Sequence, residues 1–233
     1  MNTSLIAFEN EEILVLNKPN GLPSTALTSS NKKTAIDLAL SLSPSLLTLG
    51  KENEFGLLHR LDLETSGLLF FAKNIKEYFR LKSIWTTGKV KKNYRAIISK
   101  SNTEKLKIPQ TIEYPIVHSK KSKKKMIALI PTRRTPKSSI GSSPQEAKTT
   151  LLHSLHQNDK YLDLEINIST GVRHQIRIHL SSIGYPILGD NIYRGEKSTR
   201  LWLHSFLCEL PDHNNKTICI QSTLPSNWSD FTK

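Results

Sequence analysis

The chain has 233 residues, 37% apolar and 23% charged, and its 33 lysines and arginines outweigh 20 acidic residues for a net charge of +13. That length suits one large core, and the apolar share is too high for a disordered chain. No segment approaches the roughly twenty apolar residues of a membrane span, two cysteines make neither a disulfide framework nor a metal cluster, and the N-terminus lacks the regions of a secretory signal, so a soluble cytoplasmic protein with reduced thiols is expected.

Residues 5–8 and 13–16 flank Glu9-Asn10-Glu11-Glu12 and predict a short hairpin. Asn17-Lys18-Pro19-Asn20-Gly21-Leu22-Pro23 leaves it as a loop whose glycine and two prolines impose a tight course. Residues 34–42 predict a helix with Ala35, Leu38 and Leu42 on one side. Next, His59-Arg60-Leu61-Asp62-Leu63-Glu64-Thr65-Ser66-Gly67 sets a carboxylate between an arginine and a Thr-Ser-Gly turn, directly before an apolar run at 68–72 short enough for a buried strand. Loops at strand mouths are where a rigid scaffold presents a reactive side chain, although a lone Asp beside such a turn is ordinarily a turn former. Asn74 then caps a helix reaching Thr87, with Glu77 as capping-box partner and Gly88 at the stop.

Residues 91–98, 124–130, 149–155 and 161–168 predict strands. Residues 131–145, rich in Ser, Thr, Pro and basic side chains, lack periodicity and read as a mobile basic loop within one domain. Thr170 is expected to cap a helix from about 172 to 183, with Val172, Ile176, Leu180 and Ile183 as its apolar stripe and Gly184 as its stop. Arg177 falls at the edge of that stripe, where a surface position is the plain reading. Residues 201–207 and 217–221 close the chain as strands. Many strands and few helices without βαβ alternation argue for an α+β fold. The excess charge is confined: residues 82–137 carry 16 basic and 2 acidic side chains, whereas 1–81 carry 8 and 9, and 138–233 carry 9 and 9. Such a block fits a polyanionic partner, with a solubilising run as the plain alternative.

Taken together, the motifs resemble those of the RluA-type pseudouridine synthases. Asn17 through Pro23 is similar to that family's first motif, and His59 through Leu69 to its signature loop. Lys92-Asn93-Tyr94-Arg95-Ala96 resembles its Lys-x-Tyr-x-Ala strand, followed by Lys125-Met126 and Ala147-Lys148-Thr149. The longest match is Thr170-Gly171-Val172-Arg173-His174-Gln175-Ile176-Arg177-Ile178-His179-Leu180, continuing from Gly184 to Asp190 and Tyr193, and Leu203-His204-Ser205 echoes the final motif.

The resemblance implies the pseudouridine synthase fold, a bent, mainly antiparallel central sheet with flanking helices and a central RNA-binding cleft. It implies one catalytic domain over residues 1–233, without the N-terminal S4-type module of larger relatives. The implied activity is isomerisation of uridine in ribosomal or transfer RNA by base flipping. No cofactor or metal is expected, because nothing is oxidised and no group is imported; His174 and His179 also lack the zinc-protease spacing. A monomer without an obligate protein partner is implied. Catalysis is placed on Asp62, with Arg177 keeping it ionised and Tyr94 stacking on the flipped base, its hydroxyl a candidate to take the C5 proton. Arg60 resembles the arginine that enters where the base has left. Lys18 and Lys92 have weaker claims, each either a phosphate contact or merely a surface lysine. Arg173 is expected to stand in for the arginine usual directly after Thr-Gly, where this chain has Val172. Lys120, Lys121, Lys123, Lys124 and Lys125 form the expected RNA-binding cluster. The alternatives are a non-catalytic RNA-binding protein and a glycoside hydrolase; the latter needs two opposed carboxylates, and Glu64 is the only near neighbour of Asp62.

Overall fold

The computed structural model describes residues 5–26, 33–49, 54–100 and 105–231. Its first elements are β1 (Ile6–Glu9), β2 (Ile13–Lys18), α1 (Ala35–Leu42), β3 (Ser66–Ala72), α2 (Ile75–Thr86) and β4 (Lys91–Ser99). Then follow β5 (Gln110–Ile112), β6 (Ile116–His118), β7 (Met126–Ala128), β8 (Thr149–Gln157) and β9 (Tyr161–Ile168). The series ends with α3 (Gln175–Ser182), β10 (Leu203–Pro211) and β11 (Thr217–Gln221). The architecture is α+β, as expected, and no helix among the described residues is long and apolar enough to cross a membrane. The chain forms two compact units, Met1–Lys92 with His204–Ser226, and Asn93–Leu203 with Asn227–Lys233.

In the first unit the strands lie in the order β1-β2-β3-β10, with β11 on β10. Pairing is antiparallel except between β3 and β10, which run parallel through His204↔Ser66 and Ser205↔Gly67. All seven residues of β3 are buried, as befits an inner strand covered on both faces. Ile13, Val15, Leu68, Phe70, Ala72, Tyr78, Leu81, Cys208 and Ile220 make one core with α2 packed against the sheet. Local chemistry sets the helix ends. Thr34 and Asp37 form a reciprocal capping box on α1. Asn74 accepts the Glu77 N–H at the start of α2, but the Glu77 carboxylate turns to Arg80 instead of completing a box.

The second unit carries the run β4-β9-β8-β5 and a separate β6–β7 hairpin. Ile116, Met126 and Ala147 form a small core there with Val172 and Ile178. Arg95 is buried in a fork with Asp163, and the Trp228 indole also donates to Asp163 (2.8 Å). Residues 119–125 fold back through Ser119 N–H to Lys125 O (3.0 Å), which shortens the expected strand at 124–130 to three residues. Segment 131–145 has no strand. Around it, Lys120 N–H bonds Ser139 O, Gly141 N–H bonds His118 O, and Ile116 and Gln145 exchange both bonds, so the expected mobile loop is fastened to β6. Strands β5 and β6 are three residues each, too short to show a period in the sequence.

The helix expected from residue 172 begins three residues later. Thr170 does not cap it: its hydroxyl accepts Lys148 N–H and donates to Gln175 Oε1, which also takes Val172 N–H. His174 occupies the cap position in a left-handed conformation (φ 56°).

Gly67 has φ +107°, and a Cβ there would stand 2.1 Å from Ser205 O. Gly67→Ala is therefore expected to drive β3 off β10 and cost about 3 kcal/mol, read as a lower urea midpoint. Gly21→Ala, at φ +81° in open space, should cost only the left-handed backbone, about 1 kcal/mol. Equal losses would refute the steric account.

Candidate active site

Asp62 is half-buried at the tip of the signature loop, where Thr65 N–H bonds its carbonyl (3.1 Å) and closes a turn. Ser24 holds the loop's entry, donating to Leu61 O (2.8 Å) and accepting Leu61 N–H (3.0 Å). The first-motif loop grips the far side: Gly21 N–H bonds Leu63 O (3.0 Å), and the Asn20 amide donates to Glu64 O. At the centre lies Lys18, fully buried, its ammonium donating to Leu22 O (2.7 Å), Pro19 O (3.1 Å) and Leu63 O (3.3 Å). A buried ammonium is tolerable only with such partners. Lys18 is thus not an exposed phosphate contact, as the motif had suggested; it ties the two loops together. Arg60 is exposed.

A polar chain backs the loop. Ser66 Oγ meets His204 Nδ1 (2.8 Å), His204 Nε2 meets Ser222 Oγ (2.9 Å), and Ser222 donates to Asn17 Oδ1 (2.8 Å). Because Ser222 gives its proton to Asn17, His204 must donate from Nε2 and accept from Ser66 at Nδ1. The strands that carry both motif loops are so joined at their mouths. Sequence reading recognised His204 only as part of a motif, since its partners lie far away in the chain.

Lys92 is also buried, against expectation, and loss of water lowers its ammonium below the usual lysine range. Cys208, close enough to feel that charge, is pushed up to about 12 by burial. His59, stacked on Trp85 (4.9 Å between rings), is lowered to about 3, first by burial and then by the charges of Lys92 and Lys82. It stays neutral near pH 7.

In the second unit Tyr94 is buried in the middle of β4. Arg177 is buried too, which overturns the surface reading of its helix position. Its guanidinium forks Asp190, Nε to Oδ2 at 2.7 Å and Nη2 to Oδ1 at 2.9 Å. Asp190 Oδ1 further accepts Ile192 and Tyr193 N–H, both at 3.0 Å, and the Tyr193 ring lies 5.6 Å from the guanidinium. The Tyr193 hydroxyl accepts Met126 N–H and meets His174 Nδ1, both at 2.9 Å. Asp190 and Tyr193 brace Arg177, and motif reading left both without roles. Gln175 and His179 are spent inside the unit: Thr149 Oγ1 meets both, and Tyr114 O takes the other His179 nitrogen (2.9 Å). Lys120, Lys121, Lys123, Lys124 and Lys125 are all exposed on the β6–β7 turn, and exposed Arg173 joins them by donating to Lys123 O (3.3 Å).

Among the described residues, metal-type donors converge at Glu12, Glu77 and His213. Arg80 already grips both Glu77 oxygens, at 2.8 and 2.5 Å, so that carboxylate's charge is balanced.

The family model described as RNA pseudouridylate synthase matches residues 12–182. An uncharacterized RNA pseudouridine synthase of Helicobacter pylori strain J99 is 32% identical over 209 residues, 88% of this chain and 61% of that protein. Ribosomal large subunit pseudouridine synthase D of Nitrosomonas europaea is 28% identical over 236 residues, 96% of this chain and 63% of that protein. The chain therefore spans about three-fifths of the length of both relatives. The solved structure of Human RNA Pseudouridylate Synthase Domain Containing 1 superposes with a TM-score of 0.71 at 22% identity, covering 97% of this chain and 84% of that one, a likeness of fold.

Lys18→Met keeps the bulk and removes the ammonium, so the Leu22 and Pro19 carbonyls lose its donation and Leu63 O keeps only Gly21 N–H. A loss of about 2–4 kcal/mol in stability is expected, with the salt slope of RNA affinity unchanged; a shallower slope would restore Lys18 as a phosphate contact. For His59 the folded value lies below the ordinary 6.5, so the unfolded chain binds a proton that the fold refuses. Stability is lost as pH falls from about 6.5 towards 3. His59→Phe, retaining a ring on Trp85, should flatten that acid limb in urea titrations; an identical limb would show that His59 titrates normally.

Proposed function

The chain belongs to the RNA pseudouridylate synthase family, and from that premise we propose that it isomerises uridine to pseudouridine in structured RNA with Asp62 as the catalytic carboxylate. The observation that carries this reading is the clamp on the signature loop, which fixes the backbone at Leu61, Leu63, Glu64 and Thr65 and leaves Asp62 half-buried at the tip. A carboxylate so held is pre-organised for a reacting carbon, and precise placement is worth orders of magnitude in rate.

The reaction breaks the N1–C1′ bond, turns the uracil and joins C1′ to C5; the C5 proton is lost and N1 gains one, so the product is an isomer. No electrons enter or leave, and the chemistry calls for no redox partner. Extruding the base costs a few kcal/mol. In this reading Asp62 acts at the sugar or ring, Tyr94 stacks on the extruded uracil, and Arg177, braced by Asp190, keeps Asp62 ionised by opposite charge. Arg60 takes the vacated place in the stack. The five lysines of the β6–β7 turn with Arg173 bind phosphates and release counterions. The substrate we infer is ribosomal RNA, in line with the name of the Nitrosomonas relative, met in the cytoplasm by a single copy of the chain.

The test is Asp62→Asn, an isostere without the reactive oxygen. Pseudouridine formation on a large-subunit ribosomal RNA transcript should fall at least a hundredfold, while the melting temperature is unchanged and RNA affinity stays within twofold. Turnover within tenfold of the unaltered protein would remove Asp62 from the chemistry. Salt-dependent RNA binding by an unaltered protein that makes no pseudouridine would favour the non-catalytic reading.

A further inference from the structure

Four described residues other than glycine hold a left-handed backbone: Phe55 (φ 47°), His174 (φ 56°), Arg194 (φ 68°) and Asn215 (φ 60°). This conformation costs an ordinary residue about 1–2 kcal/mol. At three of the four the fold offers a local compensation. The His174 ring bonds the Tyr193 hydroxyl. Asn215 is of a type that tolerates the conformation, and its N–H closes a turn on Asp212 O (3.2 Å). The Phe55 side chain is half-buried. At Arg194 the side chain supplies no such compensation. It is exposed, and among the described residues no ion pair or hydrogen bond engages its guanidinium. Glu196, two places on, turns its carboxylate to the Tyr161 hydroxyl (3.3 Å).

The turn that holds Arg194 is rigid and rooted in the Arg177 partner. Asp190 Oδ1 takes Ile192 and Tyr193 N–H, and the Asp190 carbonyl takes Gly195 N–H (2.9 Å). A Cβ on Gly195 would stand 2.0 Å from Ile187 O, so the residue after Arg194 has no freedom to move. Arg194 is thereby indexed to Arg177 through one carboxylate, and among the described residues no carboxylate pairs with the Arg194 guanidinium. The backbone bonds close the turn, but the Arg194 side chain gains no partner among the described residues, and strain at a side chain without an internal gain points to an external one.

We propose that Arg194 is a substrate-binding residue, its guanidinium taking a phosphodiester of the RNA close to the nucleotide on which Arg177 acts. The inference rests on the function proposed above. A guanidinium suits the task because its planar fork donates two parallel bonds to phosphate oxygens.

The experiment compares the unaltered protein, Arg194→Gly and Arg194→Lys on a large-subunit ribosomal RNA transcript, by filter binding across a salt series and by urea melts. Glycine relieves the backbone, so Arg194→Gly should melt at an equal or higher urea midpoint while binding RNA about 5- to 30-fold more weakly, with a log–log salt slope shallower by about 0.7–0.9. Arg194→Lys should keep the slope. The proposal is overturned if Arg194→Gly binds with unaltered affinity and slope, or if it melts markedly earlier, which would give Arg194 a structural role. An unaltered protein that neither binds nor converts RNA would instead defeat the underlying function and this inference with it. Conversion by the unaltered protein beside unchanged binding by Arg194→Gly defeats the inference alone.

Discussion

A buried ammonium surrounded by backbone carbonyls is the constraint on which the first unit turns. Lys18 ends β2, lies opposite Gly67 of β3, and points its charge at oxygens from both the first-motif loop and the signature loop. Neither loop has regular structure of its own around the catalytic candidate, so each depends on the other for hydrogen-bond partners. Burying the charge is costly, and only a closed set of acceptors makes it sustainable. The cost explains the rigidity, because releasing either loop would strand the ammonium. Lysine suits the position: a compact point charge with three donors meets three carbonyls arrayed around it.

The second unit meets a similar demand with a different cation. Arg177 is planar and forked, and its partner is a carboxylate matched to that fork. Asp190 spends its remaining capacity on the 190–195 turn, so one residue fixes a guanidinium and shapes the adjoining backbone. Tyr193 extends the arrangement, its ring beneath Arg177 and its hydroxyl joined to His174 and to the start of β7. The basic turn on β6–β7 is therefore mounted on the same framework as Arg177. A lysine cluster on a flexible tail would bind phosphate equally well by charge alone. Held this way, the cluster would, in the proposed function, also fix where the phosphates lie relative to Arg177.

Much of the fold was legible from the chain. The hairpin of residues 5–8 and 13–16, helices α1 and α2, and strands β3, β4, β8, β9 and β11 follow from periodicity, the Asn74 cap and the stop at Gly88, whereas Thr34, predicted as helical, proves to be the cap of α1. The misses have identifiable causes. Strands of three residues carry no period, and β7 was overestimated because the lysine run forms its turn. The start of α3 was misplaced because Thr170 looks like a cap, whereas Gln175 competes for its hydroxyl from five residues away.

The sequence by itself determined the order of the motifs and the confinement of positive charge to residues 82–137, local facts carried by residue type and near spacing. The family resemblance of those motifs, not spacing, singled out Asp62, Tyr94 and Arg177. Tertiary structure alone decided which cations face inward. Lys18 and Lys92 look like surface lysines in the chain and are buried in the fold, Arg177 sits on a helix edge in projection yet forks Asp190 thirteen residues on, and Arg194 is ordinary until its backbone is seen to be left-handed. Whether a charge binds its own protein or something else depends on which oxygens surround it, and those oxygens come from segments that only folding brings together.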